Sequence, residues 1–133
     1  GILVSFGGDN SGSEAAEAFS IVPALLKAGD DWAVERARRN APPLSVAVAI
    51  THGDVVHGVI GHDDRLEFTV IGDAVNLAAK LEKHAKLEQA RVITTRAAFD
   101  QARAQGLDPP YRRIAPKAYV EGAAAPVDLV IVA

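Results

Sequence analysis

The 133-residue sequence predicts a single α+β domain. Two patterns predict it. Stretches with helical periodicity alternate with short β-branched ones, and between residues 44 and 72 three extended segments follow one another across turns alone, as adjacent antiparallel strands do. The make-up, 49% hydrophobic and 23% charged, suits one core, and no repeat or low-complexity tract divides residues 1–133.

"ILVSF" (residues 2–6) reads as a strand, ended by the loop "GGDNSGS". Ser11 with Glu14 three residues on reads as a capping box. The helix it opens carries an apolar stripe of Ala15, Ala18, Phe19, Val22, Leu25 and Leu26. Pro23 is expected to kink this helix or to start a new turn, and Gly29-Asp30-Asp31 to break it before a last helical piece, "WAVERARRN". Trp32 is read as packing and "ERARR" as a solvated helix end. "LSVAVAITHG" (44–53) and "DVVHGVIG" (54–61) read as the two strands of a hairpin or bulged return across Gly53. "LEFTVIG" (66–72) alternates Leu66, Phe68 and Val70 with Glu67, Thr69 and Ile71. A helix over 74–88, the strand "RVITT" (91–95), the helix "RAAFDQARAQG" (96–106), a turn at "DPP", and the strand-like "RRIAPKAYV" and "VDLVIVA" complete the chain.

Composition narrows the function. A net charge of −3 and a pI near 5.8 leave no electrostatic footprint for nucleic acid or an anionic membrane surface, although a few placed cations can still hold a small polyanion. With no cysteine, disulfides, zinc thiolates and thiol nucleophiles are excluded. No apolar stretch approaches the roughly 20 residues that span a bilayer, and no leader pattern is present, so a cytoplasmic protein is expected. The absence of methionine even at residue 1, where the pattern of a strand is already under way, reads as a piece of a larger protein with part of its chemistry upstream.

"FTVIGDAVNLAAKLEK" (68–83) holds the candidate site. Gly72 permits a sharp turn, and Asp73 is expected to cap the next helix. Leu77, Leu81, Ala74, Ala78 and Ala85 share the core arc of that helix, whereas Asn76, Lys80 and Lys83 share another. Asn76 and Lys80 are i and i+4 neighbours, so their tips can reach one ligand, and a helix N-terminus favours anions. These features suit a phosphate-bearing substrate, but an Asn in a first turn and an exposed Lys are also ordinary helix surface. Pattern alone leaves both readings open.

The run "RLEFTVIGDAVNLAAKLE" (65–82) closely resembles the signature of class III nucleotidyl cyclases, the adenylyl and guanylyl cyclases. "GILVSFG" resembles the strand after the family's second metal-binding aspartate, "ITHGDVVHGVIG" the hairpin before the signature, and "VEGAAAPVDLVIVA" the closing strand pair. The resemblance implies a ferredoxin-like cyclase fold, of which residues 1–133 are the later part of one catalytic domain, its first strand and helices absent. It implies conversion of ATP to 3′,5′-cyclic AMP and pyrophosphate for signalling inside the cell, in a homodimer whose second domain completes the site. The alternative is a cyclase-like domain without turnover that serves in dimerisation or nucleotide sensing.

By position in the motif, Asn76 matches the asparagine that orients the ribose and Lys80 the arginine that steadies the transferred phosphate. Thr69, with Val70 beside it, falls where the base is read, and threonine there goes with adenine. Lys80 keeps the charge but lacks the planar fork of an arginine. The implied cofactors are two Mg²⁺ or Mn²⁺ ions on aspartates that would precede Gly1, so no metal ligand is assigned in the chain and residues 1–133 alone are expected to be inactive. Exposed apolar edges and a tendency to swap or aggregate are expected as well, for want of the first strand. Asp9 is read as a loop residue, "GGDNSG" lacks the Gly-Lys-Ser/Thr of a phosphate loop, and His52, His57 and His62 alternate faces on a straight strand rather than converging on a metal.

Overall fold

A computed structural model describes residues 1–7, 11–62 and 64–133, and of residue 62 only the main chain. The expectations for Asp9, for most of "GGDNSG" and for the His62 side chain lie outside these residues. Elements run α1 (Glu14–Ser20), α2 (Val22–Arg38), β1 (Val48–Ile50), β2 (Val56–His62), β3 (Arg65–Ile71), α3 (Asp73–His84), β4 (Val92–Thr95), α4 (Arg96–Ala104), β5 (Arg113–Ala118) and β6 (Val127–Ile131). The α+β class holds. A mixed four-stranded sheet has the order β1-β4-β6-β5, with β1 parallel to β4 and the other pairs antiparallel, while β2 and β3 form a separate two-stranded ribbon.

The period-two geometry of strands divides the sheet's side chains between two cores. Ile50, Val92 and Val130 face Ala15, Phe19, Val22, Ala98, Phe99 and Ala102 of α1, α2 and α4. Ile93, Leu129 and Ile131, the alternate positions, face Leu81 and Ala85 of α3. Helices therefore cover both faces, which is why β4 is buried along its whole length and shows no polar alternation. Phe19 and Phe99 meet edge to face, centroids 6.1 Å apart, and join α1 to α4.

Several local expectations are corrected. Residues 2–6 form no strand, because no described strand runs beside them to complete a ladder, and Ile2, Leu3 and Val4 are exposed. Residues 44–61 are not a hairpin: β1 pairs with β4, and β2 pairs with β3 along seven residues each, from Val56↔Ile71 to His62↔Arg65. The chain leaves the sheet after Ile50, where the Thr51 hydroxyl donates to the Ala74 carbonyl (2.7 Å), so the turn at Gly53 is tied to α3 instead of reversing onto β1. Pro23 starts a new helix, as one of the two expectations had it, but Gly29 does not break α2. Gly29 is buried against Val46, where a Cβ would stand 3.0 Å from Cγ2, so its small size serves close packing and outweighs the ~1 kcal/mol propensity cost. Trp32 lies on the outer face of α2, 54% exposed, and is no packing residue.

Both predicted caps shift. The N-cap of α1 is Ser13, whose hydroxyl bonds Glu17, and Ser11 lies two residues outside, bonded to Ser13. Gly72 occupies the N-cap position of α3 and Asp73 is its first residue, so Asp73 complements the helix dipole rather than accepting a capping hydrogen bond. The sharp turn does require Gly72, since a Cβ there would lie 2.7 Å from the Asp54 carbonyl oxygen. At the sheet's β5 edge, Pro116 and a bulge between Ala115 and Ala118 interrupt pairing, and the Asp128 carboxylate accepts the Lys117 N–H at 2.7 Å to hold the bulge.

Candidate functional site

Parallel pairing of β1 and β4 sets their carboxyl ends side by side, and the Thr94 hydroxyl, donating to the Ile50 carbonyl at 2.8 Å, pins them together. The chain that follows each strand builds one wall of an open cleft of about 810 Å³. His52 comes from the end of β1, while Thr95, Arg96 and Asp100 come from the end of β4 and the first turns of α4. Asp73, Asn76, Leu77 and Lys80 of α3 form a second wall, and residues 123–128, leading into β6, a third. Ligands of open α/β sheets collect at such carboxyl ends.

The helical spacing places Asn76 and Lys80 together as the sequence requires. Asn76 is exposed, Lys80 is half-buried, and both line the cleft. Among the described residues neither side chain has a hydrogen bond or ion pair. The aliphatic stem of Lys80 passes over the turn between β5 and β6, where a Cβ on Gly122 would meet its Cε at 3.3 Å. Gly122 also takes φ +80°, a conformation glycine adopts without strain, so the turn can lie close beneath the lysine and steer its ammonium. An amide that donates and accepts, one helical turn from an ammonium, can hold a sugar hydroxyl and a phosphate oxygen of one ligand.

Thr69 and Val70 do not join this cleft. They sit half-buried on β3, opposite Gly58 and His57 of β2. Lys83, on the same arc as Asn76 and Lys80, is exposed and also lies outside it. The described histidines occupy separate settings: His57 stacks on Phe68 and bonds Ser5, and His52 faces Glu14 at 3.7 Å. Among the described residues no three His, Asp or Glu side chains gather as a metal site.

Sequence reasoning missed Thr95, Arg96, Asp100 and the Gly122 turn. Thr95 had a readable signal as the polar residue before a helical run. Its hydroxyl accepts the Ala98 N–H at 3.1 Å and caps α4. His84, also missed, is 7% exposed near the end of α3; its Nε2 lies 3.2 Å from Glu88, which also pairs with Arg113 of β5. Burial pushes the Glu88 carboxyl up, but Arg113 and His84 together outweigh that and hold it below the usual carboxylate range. This cluster ties the end of α3 to β5 and thereby steadies the helix that carries Asn76 and Lys80.

The chain is similar to known proteins. The model of the adenylate and guanylate cyclase catalytic domain matches residues 4–106. An adenylate cyclase of Anabaena cylindrica is 32% identical over 94 residues, which cover 71% of this chain and 19% of that protein. An uncharacterized protein of Mycobacterium tuberculosis is 33% identical over 102 residues, 71% of this chain and 18% of its own length. The chain thus spans about a fifth of these relatives. In fold it superposes on the adenylyl cyclase CyaB of P. aeruginosa with a TM-score of 0.77, and on the guanylyl cyclase Cya2 with 0.78. Each match is 22% identical and covers 96% of this chain, against 64% and 62% of the two structures.

Proposed function

Because this chain belongs to the adenylate and guanylate cyclase catalytic domain family, we propose that it forms part of an enzyme that closes ATP to 3′,5′-cyclic AMP and releases pyrophosphate. The observation that carries the reading is the pair Asn76 and Lys80, one turn apart, unengaged by the described residues, and open to one cleft. In this role the Asn76 amide fixes the ribose, so that its 3′-oxygen stands in line with the α-phosphorus. The Lys80 ammonium holds negative charge on the phosphate as the leaving group departs. Thr69 and Val70 would read the adenine edge, from a position outside the cleft of their own chain.

That separation supports a site completed by a second copy. The β2–β3 ribbon supports it too, since Val56, Val59, Ile60, Leu66, Phe68 and Ile71 are all exposed there. Mg²⁺ or Mn²⁺ would neutralise the phosphates when bound; among the described residues no three histidine or carboxylate side chains gather to hold such an ion. A domain without turnover, sensing nucleotide or holding a dimer, is the second reading. What favours it is Lys80 itself, a point charge without a guanidinium's two-pronged reach.

Steady-state kinetics of the full-length protein separate the two. With ATP and Mg²⁺ or Mn²⁺, Asn76→Ala and Lys80→Ala should each lower kcat by about tenfold or more, because the contacts tighten in the transition state. Absence of cyclic nucleotide from the wild-type protein with either metal would replace catalysis by the sensing role. Preference for GTP over ATP would overturn the reading of Thr69.

A further inference from the structure

Arg96 shares the cleft with Asn76 and Lys80, yet it enters from a different element. Its place follows from topology: it is the first residue beyond the carboxyl end of β4, and the Thr95 cap fixes the turn on which it stands. Its ion pair is made by the inner nitrogen. Nε donates to both carboxylate oxygens of Asp100, each at 2.8 Å, and among the described residues the two terminal amines have no partner. Asp100 thus orients the guanidinium by its inner nitrogen and leaves the outer prongs free. The side chain is 41% exposed and lines the cleft.

We propose that Arg96 is a second substrate-gripping cation, which takes phosphate oxygens of a nucleotide's polyphosphate arm while Lys80 takes others from the α3 wall. The proposal rests on reading this cleft as a nucleotide site and adds a residue to it. The charges define the ligand class more closely. Lys80 and Arg96 share the lining with Asp73, Asp100 and Asp128, so there is no broad positive field to draw in any small anion. Asp100 is engaged by Arg96, and Asp128 accepts from the Lys117 N–H. Binding then depends on short, directed, charge-assisted hydrogen bonds from two separate walls. A single phosphate satisfies one wall; a chain of phosphates can satisfy both. The cleft should therefore prefer di- and triphosphates to orthophosphate.

Titration calorimetry on the full-length protein tests this with inorganic tripolyphosphate and orthophosphate as probes. The wild-type protein should bind tripolyphosphate about tenfold or more tightly than orthophosphate, and Arg96→Gln should weaken tripolyphosphate by about tenfold and remove most of the preference. Arg96→Lys should recover only part of the loss, since an ammonium lacks the fork. Arg103→Gln, which breaks the other α4 arginine pair, with Asp108, should change nothing. Tripolyphosphate binding that falls with Lys80→Gln but not with Arg96→Gln would overturn the role of Arg96 and leave the cyclase reading intact. Arg96-dependent binding in a protein that forms no cyclic nucleotide would overturn the cyclase reading and uphold the inference. No binding of tripolyphosphate to the wild-type protein would overturn the inference itself.

Discussion

The four-stranded sheet and the β2–β3 ribbon draw on the same β-branched vocabulary and meet opposite fates. Val92 and Ile93 of β4 are fully buried between helices, whereas Val59 and its cross-strand partner Phe68, 71% exposed, face outward. The sheet finds its covering helices within the chain; the ribbon does not. A lone two-stranded ribbon is marginal in water, so its exposed apolar side chains are best explained by a partner. The comparison teaches that the strands that make the core and the strands left open for the proposed assembly are different ones. The cleft lies on the stable part, at the carboxyl ends of β1 and β4, and the proposed base-reading residues lie on the part that faces outward.

Mutations can break or sharpen this division. The largest loss should come from the sheet's core: Leu81→Ala, at a site with no exposure, should cost about 2–5 kcal/mol in denaturant unfolding. Gly72→Ala tests the joint between ribbon and α3. Its Cβ would press on the Asp54 carbonyl, and a loss of about 1–3 kcal/mol is expected from the same measurement. Glu88→Gln probes the tie between α3 and β5 through pH. Because the folded carboxyl sits below its ordinary 4.5, its contribution is complete above that value and is lost as pH falls through the lower folded value. Wild-type unfolding midpoints should therefore drop on acidification below about 4.5 more steeply than those of Glu88→Gln. Smallest in folding should be Phe68→Ser, within about 0.5 kcal/mol for the isolated chain, yet sedimentation should show weakened self-association. A large folding loss from Phe68→Ser would erase the distinction between the two regions.

The sequence made the helices and strands of the sheet legible where packing enforces one period, as in the Leu77, Leu81 and Ala85 arc of α3. It did not reveal pairing. Nothing local in residues 44–61 distinguishes a strand that turns back on itself from one that leaves the sheet, because the partner of β1 lies more than forty residues onward at Val92–Thr94. Gly29 misled for a related reason: its packing partner, Val46, is far along the chain, so only the propensity penalty was visible. Within the cleft, the closeness of Asn76 and Lys80 was readable because helical spacing unites them, although pattern alone left an ordinary helix surface equally open and the family resemblance singled the pair out. Arg96 and the Gly122 turn come from other elements and needed the topology to bring them to the same cleft.

The most direct test is a structure of the full-length protein with a non-cyclising ATP analogue bound. The account predicts a ribose hydroxyl within hydrogen-bond distance of the Asn76 amide and phosphate oxygens on the Lys80 ammonium, with the adenine edge against Thr69 of a neighbouring copy. A nucleotide bound elsewhere, with Asn76 and Lys80 covered by protein and out of its reach, would contradict it.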